Sequence, residues 1–492
     1  MNGEPDLLIG GVWRHASDGG TRDVINPADG SVVAVVDEAT PDDAREAVAA
    51  ARRAFDDGEW PATPVEERAA LLGRIADLLV RDKESLAELE TRDTGKTLVE
   101  SRIDIDDVTS VFRYYSRLAA TQSDRLVDVG DPAVVSRVVR EPIGVCVLIA
   151  PWNYPLLQMS WKVAPAIAAG CTMVAKPSEV TPLSTIAFVH LLTEAGVPAS
   201  VVNLVQGSGA TLGAALTDTP DVDFISFTGG LATGKIISKV AAEHVTKVAV
   251  ELGGKNPHIV FADADWDSSV DQVLTGVFLH SGQVCSAGTR VIVEESIADD
   301  FVAALAERAE KIRMGNGMDP ASETGPLVSE QHRAKVEAHV QQGISEGAKL
   351  VTGGARPADP ALAAGYFYLP TIFDRCDRSM RIVSEETFGP ILTVERFTTE
   401  AEAIELGNDT RYGLAAGVRT ADRARGERVV RALRHGTVWL NDFGYYTASA
   451  EWGGFGQSGN GRELGPTGLA EYQEIKHIWH NTAPTPAGWF KG

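Results

Sequence analysis

A cysteine between two glycines is the residue of this sequence whose surroundings best suit chemistry. Cys285 lies in the run Gly282-Gln283-Val284-Cys285-Ser286-Ala287-Gly288. Small neighbours let a substrate and backbone amides approach the sulfur closely, and a thiolate is a strong nucleophile. Because a free cysteine is more often buried and inert, a catalytic role for Cys285 requires partners from elsewhere in the chain.

Candidate partners follow apolar runs at four places. Asn153 offers an amide donor, Lys176 stands beside the carboxylate of Glu179, Thr228 ends a third run and Glu251 ends a fourth. Ligands of parallel α/β sheets bind at the carboxyl ends of the strands. If the apolar runs are such strands, these side chains converge on one edge, where Cys285 could join them.

The elements that must position these groups are predicted by alternating patterns. Between residues 142 and 252, short apolar runs alternate with helical stretches, which predicts an α/β fold with a doubly wound parallel (Rossmann-like) sheet. The GxGxxG fingerprint is absent, although Gly207-Ser208-Gly209 and Gly229-Gly230 each separate a strand from a helix and could admit a phosphate. A second α/β unit is predicted from about 254 to 469.

Further segments complete the predicted organisation. Leu7–Ile9 and Val12–Arg14 predict a hairpin, Thr40 an N-cap, and Thr63 the start of a helical region that reaches about Thr121. Residues 125–141 predict an extended arm without a core of its own. We therefore expect a cofactor domain (1–124 and 142–253), a catalytic domain (254–469), and an oligomerisation arm and tail (125–141 and 470–492) that supports a homodimer or homotetramer.

Composition narrows the functional class. The 492 residues are 44% hydrophobic and carry a formal charge of 45 − 68 = −23, which disfavours binding to nucleic acid and to anionic membrane surfaces. Four scattered cysteines do not form a disulfide framework, and no spacing indicates a metal site. Without a signal-peptide pattern or a membrane-spanning run, a cytoplasmic protein is expected.

Six motifs in this order resemble those of the aldehyde dehydrogenase superfamily, and the resemblance covers essentially the whole chain. The motifs are Pro151-Trp152-Asn153, Lys176-Pro177-Ser178-Glu179, Phe227-Thr228-Gly229, Glu251-Leu252-Gly253-Gly254-Lys255, Gly282-Gln283-Val284-Cys285 and Glu385-Glu386-Thr387-Phe388-Gly389-Pro390.

The resemblance implies NAD-dependent oxidation of an aldehyde to a carboxylic acid. Cys285 would attack the aldehyde, and its backbone N–H and the Asn153 amide would hold the oxyanion. Glu251 would be the general base for the water that hydrolyses the resulting thioester, and could also take the proton of the thiol. Lys162 and Glu463 would relay a proton from Glu251, with a surface ion pair as the alternative for both.

The resemblance also implies a set of cofactor-binding residues. Glu179 would favour NAD, because its carboxylate repels a 2′-phosphate, and Glu386 would hold the nicotinamide ribose. Gly230 stands where the family often has serine. The full expected set is Trp152, Lys176, Ser178, Glu179, Gly209, Gly213, Phe227, Thr228, Gly229, Gly230, Thr233, Leu252, Gly253, Glu386 and Phe388.

Aromatic residues carry the expectation about the substrate. Tyr154 and Trp161 lie seven residues apart on one predicted helix, and Trp452 comes from a glycine-rich loop. Aromatic faces around a small volume suit a quaternary ammonium, although an ordinary apolar pocket is the alternative. Phe443 and Leu279 are added by resemblance to the bacterial branch that acts on betaine aldehyde. Leu279 stands where plant members carry a tryptophan.

Alternatives to this reading remain open from the sequence. Other ω-amino or trimethylammonium aldehydes compete with betaine aldehyde as substrates. A cysteine esterase would use the same thiol without a nicotinamide cofactor. A non-catalytic protein on this fold would be expected to lack Cys285 or Glu251, and both are present.

Overall fold

A computed structural model describes residues 3–490; residues 1–2 of the predicted cofactor domain and 491–492 of the predicted tail lie outside the described residues. None of the described helices combines the length and apolar composition that a membrane crossing requires. The strands are β1 (Leu7–Ile9), β2 (Val12–Arg14), β3 (Thr21–Ile25), β4 (Val32–Asp37), β5 (Arg125–Val127), β6 (Val134–Pro142), β7 (Val145–Ile149), β8 (Thr172–Lys176), β9 (Val202–Leu204), β10 (Phe224–Gly229), β11 (Lys247–Leu252), β12 (Pro257–Val260), β13 (Arg290–Glu294), β14 (Lys349–Thr352), β15 (Thr371–Asp374), β16 (Ile391–Phe397), β17 (Ala415–Arg419), β18 (Thr437–Leu440), β19 (Gly459–Asn460) and β20 (Gln473–Asn481).

The helices begin where the sequence offers capping groups. The predicted N-cap Thr40 accepts a hydrogen bond from the Asp43 backbone, and Thr97 and Glu100 form a second capping box. The helices are α1 (Pro41–Asp56), α2 (Val65–Arg81), α3 (Lys83–Thr94), α4 (Leu98–Thr121), α5 (Pro155–Ala169), α6 (Leu183–Glu194), α7 (Ala214–Thr217), α8 (Leu231–His244), α9 (Trp266–Phe278), α10 (Ala298–Ala309), α11 (Glu330–Ser345), α12 (Arg381–Ser384), α13 (Glu400–Asn408), α14 (Arg423–Ala432) and α15 (Gly465–Glu471).

The long helical region predicted from Thr63 is divided into three helices, α2, α3 and α4. The first begins at Val65 with Pro64 as the flanking residue, so Thr63 does not cap it. The second ends at Gly95, whose φ of +82° is left-handed and stops the helix. Apolar periodicity alone did not reveal these breaks.

The first sheet has the predicted doubly wound, Rossmann-like arrangement. Its order is β19-β11-β10-β7-β8-β9-β1-β2, and the five strands β7 to β11 run parallel. Alternate residues of β7 enter different cores: Val145 and Val147 pack with α1, and Cys146 and Leu148 pack with α5 and α6. Helices therefore cover both faces, which confirms the predicted α/β fold.

The second sheet lies wholly in the later part of the chain. Its order is β14-β15-β16-β13-β12-β17-β18, parallel except for β14. In contrast, β19 leaves the segment predicted as the catalytic domain and pairs with β11 of the first sheet. The division of the chain into domains stays a prediction.

The arm is a third, separate sheet. In it, β6 pairs with β5 on one side and with β20 on the other, both antiparallel. Side chains on this sheet are widely exposed, among them Leu126 at 75% and Ile475 at 71%. Apolar side chains at such exposure are the kind of surface that a second subunit covers.

Candidate active site

The two large sheets face each other across the candidate site. Strand β11 ends at Leu252, and after four residues β12 begins at Pro257 in the second sheet. The carboxyl edge of the first sheet therefore meets the amino edge of the second. Cys285 lies just before β13, and Glu386 lies just before β16, so both come from that amino edge.

The loop that carries Cys285 is held in an unusual backbone conformation. His280, Ser281 and Gly282 have φ values of +47°, +52° and +71° in succession. A Cβ on Gly282 would lie 2.2 Å from the Gly389 carbonyl oxygen, so only glycine fits there. Ser281 is buried and its backbone N–H donates to Thr324 Oγ1 at 3.1 Å. Tertiary contacts thus keep three consecutive left-handed residues in place.

Cys285 is partly exposed as a residue, whereas the other three free cysteines, Cys146, Cys171 and Cys376, are buried. Burial of the sulfur raises the pKa of Cys285 to about 12, and the nearby carboxylates of Glu386 and Glu251 add to the rise. The thiol is therefore protonated near neutral pH, and a base must take its proton as the sulfur attacks.

Asn153 is brought to the cysteine loop as predicted. Its side-chain amide donates to the Gln283 carbonyl at 2.9 Å, and the residue is 4% exposed. His280 contacts the Asn153 carbonyl through Nε2 at 3.1 Å. The end of β7 and the cysteine loop therefore hold each other, which keeps the Asn153 amide beside Cys285.

Glu251 lies at the end of β11, opposite Thr228 of β10. Its two carboxylate oxygens are buried and accept no hydrogen bond from any described residue. Burial raises the pKa of Glu251 well above its usual range; Glu463 adds to the rise and Lys162 opposes it. A raised pKa makes the ionised carboxylate a stronger base than an ordinary glutamate, which suits a general base.

Lys162 and Glu463 form a buried ion pair, with the lysine 0% and the glutamate 4% exposed. The Lys162 ammonium also donates to Thr228 Oγ1 at 2.7 Å. The alternative of a surface ion pair is therefore wrong, because the fold removes both groups from solvent. Their charges act on Glu251, although neither group is hydrogen-bonded to its carboxylate.

Lys176 and Glu179 lie together at the end of β8. The Lys176 ammonium is 3.8 Å from Glu179 Oε2, and Glu179 Oε1 accepts the Gly209 backbone N–H at 3.3 Å. A Cβ on Gly213 would contact Lys176 at 3.9 Å. The expected ribose-binding pair therefore borders the turn that carries Gly209.

The N-terminus of α8 has no side-chain cap and no neighbouring group of the described residues covering it. Gly230 is its N-cap and supplies no side-chain cap, and nothing lies within 4 Å of a Cβ built on it. Thr233 is exposed in the first turn, and Gly229 lies against the Phe227 ring. Uncapped backbone N–H groups at this position can receive a phosphate. Ser178 stands farther along the same edge and is partly exposed.

Glu386 lies over the backbone that follows β11. A Cβ on Gly253 would overlap the Glu386 carboxylate at 2.0 Å, and the Gly254 N–H donates to Glu386 Oε1 at 3.0 Å. The next residue of interest, Phe388, has a φ of +58° and packs edge-on against Trp152 with ring centroids 5.2 Å apart. Leu252 is buried beneath this region.

Aromatic rings meet near the cysteine loop. Trp161 contacts Trp452 with centroids 5.9 Å apart and Tyr446 at 5.3 Å, and Tyr446 contacts Trp452 at 5.8 Å. Cys285 packs against the same hydrophobic core that contains the two tryptophans. We call Trp161, Tyr446 and Trp452 the aromatic cluster.

The other three expected substrate residues, Tyr154, Phe443 and Leu279, do not belong to the aromatic cluster. The ring of Tyr154 faces the Lys96 ammonium at 4.1 Å and contacts His280 at 5.6 Å, so it does not pack on Trp161. Phe443 is stacked on His258 and is 8% exposed. Leu279 is 40% exposed and lines a surface cavity of about 380 Å³ formed by α9, α10 and the segment near Thr324.

Two residues of this region were missed from the sequence. Tyr446 lies in Phe443-Gly444-Tyr445-Tyr446, where three aromatics in four residues were the available signal. Its hydroxyl donates to Asp107 Oδ2 at 2.7 Å. Asn256 donates to the carbonyls of Cys285 and Ala287, both at 2.9 Å, and so fixes the backbone around the thiol.

The chain is similar to known proteins over nearly its whole length. A model described as the aldehyde dehydrogenase family matches residues 13–478. A betaine aldehyde dehydrogenase of Bacillus subtilis is 56% identical over 484 residues, which cover 98% of this chain and 99% of that protein. An aldehyde dehydrogenase of Emericella nidulans is 42% identical over 96% of this chain and 94% of that protein. A crystal structure of a betaine aldehyde dehydrogenase from Staphylococcus aureus in complex with NAD+ is 49% identical, with a TM-score of 0.98, and covers 100% of this chain and 98% of that chain.

Proposed function

The chain belongs to the aldehyde dehydrogenase family, and from that premise we propose that it oxidises betaine aldehyde to glycine betaine with NAD. The observation that carries the proposal is that a partly exposed cysteine, an amide donor and a buried carboxylate lie together between the two sheets. Asn153 contacts the Cys285 loop at 2.9 Å, and the charge of Glu251 reaches the Cys285 thiol.

The first half of the reaction forms a thioester. The Cys285 sulfur attacks the aldehyde carbon and gives up its proton to a base in the cleft. The carbonyl oxygen becomes an oxyanion, which the Cys285 backbone N–H and the Asn153 amide stabilise. Each such donor is worth about 3 kcal/mol of barrier. When NAD is bound, it supplies the acceptor for the hydride that leaves the former aldehyde carbon.

The second half releases the acid. Glu251 takes a proton from water as the oxygen of that water attacks the thioester carbon. The carbon–sulfur bond breaks, the carboxylic acid leaves, and the Cys285 sulfur takes back the proton that the base accepted in the first half. Lys162 and Glu463 form the buried ion pair whose charges act on Glu251, and they carry the proton away from it. General-base assistance of this kind is typically worth about 10² to 10⁴ in rate.

The residues around the cleft fit a nicotinamide dinucleotide. The exposed backbone N–H groups at Gly230 suit its pyrophosphate, and the paired Lys176 and Glu179 suit the adenosine ribose. Glu386 rests on the Gly254 N–H at the other end, where it suits the second ribose. Trp152 and Phe388 form an apolar wall beside it.

The aromatic cluster supports a quaternary ammonium substrate. The centroids of its three rings are within 6 Å of one another, and each aromatic face that contacts a trimethylammonium group is worth about 0.5 to 2 kcal/mol. The Asp107 carboxylate behind Tyr446 adds negative charge on the same side. Another ω-amino or trimethylammonium aldehyde is the second candidate, because the aromatic cluster would recognise the cationic group and not the length of the aldehyde.

A panel of aldehydes tests the proposal. Betaine aldehyde, 3-aminopropanal, 4-trimethylammoniobutanal and hexanal are each supplied with NAD and with NADP, and absorbance at the NADH band is followed. Betaine aldehyde with NAD should give the largest kcat/KM. Hydrolysis of an activated ester without any aldehyde oxidation would instead establish the esterase alternative.

Replacing Trp452 tests recognition of the cation. We expect Trp452→Leu to raise KM for betaine aldehyde by about 3- to 30-fold, the value of one cation–π contact. The KM for 3,3-dimethylbutanal, a neutral aldehyde of the same shape, should change much less. Trp452→Phe keeps an aromatic face and is the matched control. Equal losses for the charged and neutral aldehydes would rule out cation–π recognition.

We propose further that the arm sheet joins copies of this chain into a homodimer or homotetramer. Support comes from its exposed apolar residues, Leu126, Ile475 and Trp479. Such residues are unfavourable in water unless a partner covers them. Light scattering measures the molar mass of the assembly that the full chain forms. Ile475→Glu should lower that molar mass.

A further inference from the structure

A second carboxylate lies at the adenosine end of the cofactor site. Glu38 follows β4, and its Oε1 accepts the Ser208 backbone N–H at 2.9 Å. The next residue, Gly209, donates its N–H to Glu179 Oε1 at 3.3 Å. Two glutamates from distant parts of the chain therefore hold successive residues of one turn.

Glu38 is also the partner of Arg22. The Arg22 Nη2 donates to Glu38 Oε1 at 2.8 Å, and Nε donates to Oε2, so the contact is bidentate. This geometry holds a guanidinium in one orientation. The hydrogen bonds of Arg22 lower the pKa of Glu38, so the carboxylate is ionised at neutral pH.

These charges share one small region. Arg22 lies near enough for its charge to act on Glu179 and on Lys176, and Lys176 also interacts with Glu38. The side chains of Arg22, Glu38 and Glu179 are 37%, 25% and 32% exposed, so a ligand in solution can reach them. The region therefore holds two carboxylates, a buried ammonium paired with Glu179, and a guanidinium already hydrogen-bonded to Glu38.

We propose that Glu38 sets the choice between NAD and NADP by keeping Arg22 bound to itself and away from the 2′ position of the adenosine ribose. The inference deepens the proposed function and rests on it, because that function places the ribose at Lys176 and Glu179. A 2′-phosphate would be repelled by two carboxylates, and the Arg22 guanidinium that could bind it is already hydrogen-bonded to Glu38. A ribose 2′-hydroxyl carries no charge and meets no such penalty.

The first test frees the guanidinium. Glu38→Gln removes the charge, and the glutamine oxygen can still accept the Ser208 N–H. Adenosine 2′,5′-bisphosphate should then bind about 10- to 100-fold more tightly, the gain expected when a guanidinium acquires a phosphate partner. Affinity for 5′-AMP, which lacks the 2′-phosphate, should change less. Isothermal titration measures both ligands without any turnover.

A double variant separates the freed guanidinium from relief of repulsion. If Arg22 provides the gain, then Arg22→Gln combined with Glu38→Gln should lose it and bind the bisphosphate as the native chain does. A double variant that binds as tightly as Glu38→Gln overturns the role of Arg22. A Glu38→Gln variant whose preference for 5′-AMP over the bisphosphate is unchanged overturns the proposal altogether.

A matched control and an activity assay complete the design. Glu84 forms an exposed bidentate pair with Arg102, far from this turn, so Glu84→Gln should leave both affinities unchanged. With aldehyde present, the ratio of kcat/KM for NADP to that for NAD should rise in Glu38→Gln. A native chain that oxidises no aldehyde with either dinucleotide would contradict the proposed function, whereas normal NAD activity with an unchanged ratio in Glu38→Gln would contradict only this inference.

Discussion

Replacement of Cys285 by alanine is expected to remove aldehyde-dependent NADH formation, with a loss of at least about 10⁴-fold in kcat. Without the sulfur, no covalent adduct forms, and the oxyanion donors have no tetrahedral centre to stabilise. The measurement is NADH absorbance with betaine aldehyde and NAD. A Cys285→Ala variant that keeps the native rate would refute the assignment of the nucleophile.

The matched control is Cys376→Ala. Burial raises the pKa of Cys376 to about 12, as it does for Cys285, but Cys376 lies in a separate core beneath β15 and α12. The control variant should therefore keep its activity. Iodoacetamide, which alkylates the thiolate, provides a second measurement: labelling at alkaline pH should be confined to one cysteine per chain, because Cys285 is partly exposed and the other three are buried. In the native chain, activity should fall in proportion to the fraction of chains that are labelled.

The second large effect is expected from Glu251→Gln. Its kcat should fall by about 10² to 10⁴, the usual contribution of a positioned general base. If Glu251 acts on water, the thioester still forms, so each active site should release one NADH rapidly and then stall. Stopped-flow absorbance resolves this burst. A uniform slow rate without a burst would place the role of Glu251 before the thioester instead.

The pH dependence of hydrolysis follows from the same residue. Burial and the neighbouring Glu463 raise the pKa of Glu251, and a base works only in its ionised form, so the rate should increase as pH rises through that raised pKa. Glu463→Gln removes a like charge and leaves the Lys162 ammonium unpaired. Both changes lower the pKa of Glu251, so the rising limb should move to lower pH. In Glu251→Gln, the rate of hydrolysis should no longer rise across this pH range.

Local structure was predicted well where neighbouring residues decide it. The runs Ile391–Phe397 and Thr437–Leu440 predict strands, and β16 and β18 have those bounds. Thr40 caps α1 through its own side chain, as predicted. Strands β12, β14 and β15 were missed. The four residues of β12 follow β11 after a short turn, and a short buried strand differs little from its apolar surroundings in pattern.

The candidate site was predictable in its chemical groups and not in its environment. Motif order placed Cys285, Glu251 and Asn153 in one reaction, but the burial of Lys162 with Glu463 was not visible, and a surface pair stood as its alternative. Tyr446 was missed because its role depends on its contact with Trp161, which lies far from it in the chain. The contact with Trp452 depends on how the irregular segment after β18 folds back on itself.

The sequence by itself determined which elements form and which reactive groups the chain carries, because helices, strands and caps depend on residues within a turn or two of one another. Only the tertiary structure decided how those groups act. The carboxyl edge of one sheet meets the amino edge of another, and this contact brings Cys285 to Asn153 from 132 positions away in the chain. The same packing removes Glu251 from water and binds Arg22 to Glu38, and neither effect can be read from neighbours in sequence.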